Sequence, residues 1–308
     1  MPIGVVSGKQ WLAGELRVCR LADGGVRAVA PAKINLTLGV GSLRKDGYHE
    51  VESIAAWISL ADRLTVHQGQ DGCRLTCDAP DLACDDGNLV VMAAQALARR
   101  VGRDPNLRMH LSKAIPVGAG LGGGSSDAAA CLLAVNDLWQ LGYDKEQLAE
   151  VGADLGSDVP IFLAGPICQA KGRGERVVDL GFEWPFWAVL FSPGKRLDTA
   201  KVYEKFDELL TERPRQARID GCQFGLRKPE AAGDLMFNML EPAALALLPE
   251  LATWRKALLA AGAGYVQLCG SGSSLVCLLN SLARARRLVD RLSPQLQACC
   301  RVVHGGHR

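Results

Sequence analysis

From Pro116 to Trp139 the chain reads PVGAGLGGGSSDAAACLLAVNDLW, a glycine loop that runs straight into an apolar helix. Binding a polyphosphate needs backbone N–H groups that no side chain obstructs, set where a helix dipole favours negative charge. Gly118, Gly120, Gly122, Gly123 and Gly124 supply the open backbone, and the helix that follows supplies the dipole. Ser125, Ser126 and Asp127 stand at its expected start as capping candidates. The body, Ala128 to Leu138, is apolar nearly all round, which predicts burial.

Two better-known glycine loops fit less well. Gly118, Gly120 and Gly123 match G-x-G-x-x-G, with Asp144 about 20 residues on. Yet the loop is entered through Pro116 from an alternating, half-exposed strand, and Asp144 follows a helix end rather than a strand end, both against a dinucleotide site. No G-x-x-x-x-G-K-[ST] occurs, which excludes a Walker A loop.

Outward from the loop, RAVAPAKINLTLGVG (Arg27 to Gly41) alternates and reads as strand, interrupted at Pro31. Asp46-Gly47 signals a turn, and Glu52 to Val66 reads as buried strand. Helices are expected over Gly87–Arg100, Lys145–Leu155, Thr199–Leu210, Leu245–Ala261 and Leu282–Leu292. Trp187–Ser192 reads as strand, and YVQLCGSGSSLVCLL (Tyr265 to Leu279) as strand, glycine loop, strand. The Gly- and charge-rich KGRGER (Lys171 to Arg176) marks a domain exit. The expected division is an extension of unassigned role over residues 1–29, a first domain over 30–175 and a second over 176–308.

Composition limits the function classes. The 308 residues are 48% apolar and 22% charged with net charge +2, so the chain can bury a core and has no whole-molecule field for nucleic acid. The arginines near the C-terminus (Arg284, Arg286, Arg287, Arg291) read as a solvated helix face. No apolar run reaches the roughly 18 residues of a membrane span, and the first 20 residues do not read as a secretory signal. Eleven cysteines without a zinc spacing suggest free thiols in a reducing, cytoplasmic setting.

Three motifs together resemble the GHMP kinase superfamily. These are Pro116 to Ala129, Pro31-Ala32-Lys33-Ile34-Asn35-Leu36, and Cys269-Gly270-Ser271-Gly272-Ser273-Ser274, which span about 245 residues in order. Two further strings, Arg44 to Ser53 (RKDGYHEVES) and Leu155 to Leu163 (LGSDVPIFL), resemble the branch that phosphorylates the 2-hydroxyl of 4-diphosphocytidyl-2-C-methyl-D-erythritol in non-mevalonate isoprenoid synthesis. The resemblance implies an α+β fold of two domains with the active site in the cleft between them. It implies ATP as phosphate donor, Mg2+ as its companion, and a small-molecule substrate, with no nucleic acid or membrane partner and a monomer or weak homodimer as the assembly. Kinases of mevalonate or homoserine type, and a catalytically silent nucleotide-binding relative, stay open as alternatives.

Site residues follow from the same match. Asp158 corresponds to the catalytic aspartate, and Lys33, costly on a buried strand unless paired, would be its partner. Burial and the lysine act on that carboxylate in opposite senses, leaving open whether it is a full base or a positioner. For ATP the candidates are Pro116, Val117, Gly118, Ala119, Gly120, Leu121, Gly122, Gly123, Gly124, Ser125 and Ser126, with Asn88 on the nucleotide side. For substrate they are Asn35, Tyr48 and His49 as stacking face and hydrogen-bonding partner of a pyrimidine, and Tyr203 as a second face. No dedicated metal ligands are expected; phosphate oxygens, with Ser126 as a possible helper, would hold Mg2+.

Overall fold

The computed structural model describes residues 18–210, 222–225 and 227–306. Its spine is a long antiparallel hairpin, β2 (Val26–Leu43) and β3 (His49–Gln68), turned at Gly47 with φ 84°. β2 is buried from Ala30 to Leu38 because sheet, helix and loop cover both its faces. The expected interruption at Pro31 is a register shift between Pro31 and Ala32, the bulge that a residue without an N–H favours, and the strand continues through it.

β1 (Val18–Arg20) pairs with β2. Val26 and Ala28 are already buried, so the core begins before the boundary expected at residue 29, while residues 1–17 of that expected extension lie outside the described residues. Along its far edge β3 pairs in three places. β6 (Ile167–Gly172) takes residues 51–56, β12 (Cys300–Gly305) meets Ile58, and β5 (Leu107–Ser112) takes residues 63–68. β4 (Cys73–Cys77) lies parallel to β5. The sheet runs on through β12 to β8 (Phe186–Phe191), β11 (Leu275–Leu279) and β10 (Gln267–Leu268), and β9 (Phe237–Asn238) adds to β2. β7 (Arg176–Asp179) folds back on β6, so the boundary drawn at residue 175 falls inside a hairpin and the two halves share one sheet.

Helices cover this sheet in two groups. α1 (Leu89–Val101), α2 (Gly123–Trp139) and α3 (Lys145–Leu155) close the N-terminal core, where Ala128 to Leu132 of α2 are fully buried against β2 and β3. Asp144 caps α3 in a capping box with Gln147, which accounts for the carboxylate that a dinucleotide site would have needed at a strand end. The second group packs on β8 and β11 around Phe191, Leu258, Leu268 and Leu288. One expected helix there, Leu245–Ala261, is two: Glu241–Leu247 and Glu250–Ala260, split at Pro249, whose ring disfavours a helical Leu248. The polar connection after Leu210 lies mostly outside the described residues. No described helix is long and apolar enough to cross a membrane.

Candidate active site

A cavity of about 610 Å3 opens where the N-terminus of α2 faces the β10–β11 loop. The glycine loop forms its upper wall, and the glycines divide into kinds. A Cβ at Gly120 would meet the Cys269 carbonyl oxygen at 1.9 Å, and Gly120 holds φ +78°, so here the two glycine motifs touch backbone to backbone. Ser274 N–H donates to the Ala119 carbonyl at 3.3 Å, and Lys33 N–H to the Leu121 carbonyl at 3.0 Å. All three sequence motifs therefore meet at one point. Gly124, by contrast, has nothing nearer than 3.6 Å to a built Cβ, leaving the cradle open.

α2 begins earlier than its sequence suggests. Gly122, left-handed at φ 69°, is the N-cap and makes no side-chain cap bond; Ser125, Ser126 and Asp127 are inside the first turns rather than capping them. Their directions differ as helix geometry requires. Ser125 lines the cavity, whereas Ser126 is fully buried, off the cavity wall, with a hydroxyl that has no partner among the described residues. Of the two serines expected near the phosphates, Ser125 is thus the one whose residue lines the cavity. Pro116 through Gly124 all line the cavity, as does Asn88, whose side chain also caps α1 by accepting from Val90 N–H at 2.9 Å.

At the floor, the Lys33 ammonium lies 3.3 Å from the Asp158 carboxylate; Lys33 is 5% exposed and Asp158 39%. β2 brings the lysine, and the turn after α3 brings the aspartate, from 125 positions away in sequence. Lys33 also donates to Asn35 Oδ1 at 2.8 Å; Asn35 donates to Ser53 Oγ at 2.8 Å, and Ser53 to the Thr37 carbonyl at 2.6 Å. This buried chain fixes the ammonium from below and holds it at the cavity wall. Such a pair can take up a hydroxyl proton and steady the oxygen left behind.

The proposed pyrimidine pair separates. His49 is buried behind the cavity wall, its ring stacked on Tyr203 at 5.2 Å and its Nε2 2.9 Å from Asp207 Oδ1. Tyr203 itself lines the cavity, and burial raises its phenol well above the ordinary range, with Asp158 adding to the effect. Tyr48 is 52% exposed at the rim, with the Arg173 guanidinium 5.4 Å from its ring centre. Neither Tyr48 nor His49 is on the cavity wall.

Two groups escaped the sequence reading. Lys113 lines the cavity between two carboxylates: it is paired with buried Asp62 and lies 2.7 Å from Asp127, while Asp62 also accepts the N–H groups of Ala114 and Ile115. One ammonium cannot neutralise both acids. Burial, and secondarily Asp62, outweigh Lys113 and push the Asp127 carboxyl well above the usual carboxylate range. A charged lysine after an alternating strand was the available signal. Arg173 is the second, set in the KGRGER turn that reads only as a connection. No group of three or more described His, Cys, Asp or Glu side chains could hold a metal ion. The open glycine backbone, helix N-terminus and wall hydroxyl fit a polyphosphate, and hard oxygen donors suit the Mg2+ that such a ligand carries.

Residues 88–166 match the profile of the GHMP kinases N terminal domain, and residues 224–297 that of the GHMP kinases C terminal domain. A 4-diphosphocytidyl-2-C-methyl-D-erythritol kinase of Salinispora tropica is 42% identical over 299 residues, covering 93% of this chain and 94% of the relative. A crystal structure of 4-(cytidine 5'-diphospho)-2C-methyl-D-erythritol kinase superposes with TM-score 0.75 at 35% identity, over 92% of this chain and 100% of that one. The homoserine kinase of Cytophaga hutchinsonii has TM-score 0.70 at 19% identity, over 93% and 96% of the two chains, a likeness of fold alone.

Proposed function

The chain belongs to the GHMP kinase family, and from that premise we propose how its cavity acts. It is an ATP-dependent kinase that transfers phosphate to the 2-hydroxyl of 4-diphosphocytidyl-2-C-methyl-D-erythritol, a step of non-mevalonate isoprenoid precursor synthesis. The observation that supports the site assignment is the buried Lys33 held against half-exposed Asp158, directly below the glycine cradle.

ATP, when bound, supplies the γ-phosphoryl group. The N–H groups of residues 118–124 and the first turn of α2 hold its phosphates, with the Ser125 hydroxyl beside them. Asp158 accepts the hydrogen of the substrate hydroxyl and aims its oxygen at the donor. Lys33 keeps Asp158 in place and offsets the charge that develops on that oxygen. Asn35, bonded to Lys33 and Ser53, fixes the ammonium and presents the floor to the methylerythritol unit. Tyr203, backed by His49, and Tyr48 at the rim hold the cytosine end. Mg2+ would come with the ATP phosphates, whose oxygens and water would hold it beside the Ser125 hydroxyl, and it would offset their charge. Ten of the eleven cysteines, all but Cys222, are free thiols, which suits a cytoplasmic setting.

ADP release is measured with Mg2+-ATP and, in parallel, 4-diphosphocytidyl-methylerythritol, mevalonate and homoserine. Turnover with the cytidyl compound alone is expected. Turnover with either of the others instead would keep the kinase and discard the substrate assignment. A thermal shift on ATP with no turnover at all would favour the silent nucleotide-binding relative.

A further inference from the structure

Three cationic side chains reach the cavity wall: Lys33, Lys113 and Arg173. Lys33 is paired with Asp158, and Lys113 with Asp62 and Asp127. Arg173 differs. Among the described residues no carboxylate lies within ion-pair distance of its guanidinium, which makes one hydrogen bond, from Nη2 to the Ala153 carbonyl at 2.7 Å. A guanidinium carries five N–H donors in a planar fork, so most of its donor capacity is unspent at the cavity wall. Half-buried cationic donors without a counter-charge mark a place where an anion binds.

The surroundings hold this fork in place. Arg173 sits in the turn joining β6 to β7, where its own N–H donates to Glu175 Oε2 at 2.7 Å. The bond to Ala153 ties it to α3, the helix that leads into Asp158. On one side its guanidinium covers Tyr48 at 5.4 Å. On the other, the next residue, Gly174, lies against Asp158: a Cβ built there would be 3.6 Å from the carboxylate oxygen, and φ is +114°. The Arg173–Gly174 turn thus adjoins the rim aromatic through Arg173 and the carboxylate of the floor through Gly174.

We propose that Arg173 binds the diphosphate of the nucleotide-linked substrate, through charge-assisted hydrogen bonds from its free guanidinium edge. This rests on the substrate reading above, in which the cytosine lies toward Tyr48 and Tyr203 and the reacting hydroxyl toward Asp158. The diphosphate is the part of that molecule that joins those two ends. Arg173 meets it there and makes the site select a diphosphate-bearing alcohol over a bare one.

The test compares the binding of cytidine, CMP and CDP to the full-length protein by calorimetry, for wild type, Arg173→Ala and Arg173→Gln. Wild type is expected to bind CDP well above cytidine. Arg173→Ala should weaken CDP by about tenfold, the value of one charge-assisted bond at a half-exposed site, and leave cytidine within about twofold. Arg173→Gln keeps the stem and a donor for the Ala153 carbonyl, so it controls for folding and should lose the same preference. In the full reaction KM for the cytidyl substrate should rise by about tenfold while KM for ATP stays put. Equal loss of cytidine and CDP would overturn the proposal, since Arg173 would then only support Tyr48. So would unchanged CDP binding in the Gln variant, or a rise confined to KM for ATP. A wild-type protein that binds neither CDP nor cytidine and does not turn over the cytidyl substrate would refute the substrate reading itself, a separate and recognisable failure.

Discussion

Replacing Gly120 with alanine drives a methyl group into the carbonyl of Cys269. The built Cβ stands 1.9 Å from that oxygen and 2.9 Å from its carbon, so the two glycine motifs must part by about 1.5 Å to restore ordinary contact. The left-handed backbone at φ +78° adds roughly 1–2 kcal/mol for any residue with a Cβ. With about 1–3 kcal/mol for forcing packed elements apart, Gly120→Ala should cost on the order of 3 kcal/mol. An unfolding entropy of ~2.1 cal/mol/K per residue converts that into a fall of about 5 °C in Tm. Gly124→Ala is the matched control. Its Cβ meets nothing nearer than 3.6 Å and it lies inside α2, where alanine is favoured over glycine by about 0.5–1 kcal/mol, so its Tm should hold or rise. Thermal melts of the three proteins without ligand decide the matter. A Gly120→Ala protein that melts with wild type, or a Gly124→Ala protein as damaged as Gly120→Ala, would refute the claim that Gly120 serves loop-to-loop contact and Gly124 an open cradle.

Asp158→Asn should lower turnover by about 100-fold or more, and turnover within threefold would remove its role. Asp127 makes stability depend on pH in a defined sense. Burial raises its carboxyl above the 3.8 of the unfolded chain, so its contribution is complete below that value and is lost as pH rises through the raised value in the fold. The Tm of Asp127→Asn minus that of wild type should therefore increase from pH 5 to pH 8, and a constant difference would contradict the reading. Cys131, Cys168, Cys269 and Cys277 are buried with thiols raised by burial, so a native thiol titration should leave these four unreacted until denaturant is added. Early loss of any of them, located by mass spectrometry, would show the core to be open.

Local signals carried much of the architecture. The α3 capping box, the alternation of β5 and the glycine turn before β3 are short-range features, and each stands where its residues place it. Other features depend on distant partners. Ser125 to Asp127 have the composition of a cap, but Gly122 bends the chain into the helix first, and the choice is made by what the glycine loop packs against. The Lys33–Asp158 pair joins residues 125 positions apart, so only the resemblance could bring it together in advance. Tyr48 and His49 were assigned to one ligand, although neighbours entering a strand point to opposite sides. That alternation is what sends His49 inward to Tyr203 and Tyr48 out to the rim. Arg173 and the Asp62–Lys113–Asp127 cluster were illegible for a different reason. Charge in a glycine-rich turn looks like solvent exposure until the fold shows which wall it lines.

Identification of the reaction product by 31P NMR tests the central claim most directly, with wild type and Asp158→Asn each incubated with Mg2+-ATP and 4-diphosphocytidyl-methylerythritol. A phosphomonoester on the 2-oxygen of the methylerythritol unit, formed by wild type and reduced about 100-fold in the variant, is the predicted result. Phosphate on another oxygen, or equal product from both proteins, would contradict the assignment of the chemistry to the Lys33–Asp158 floor.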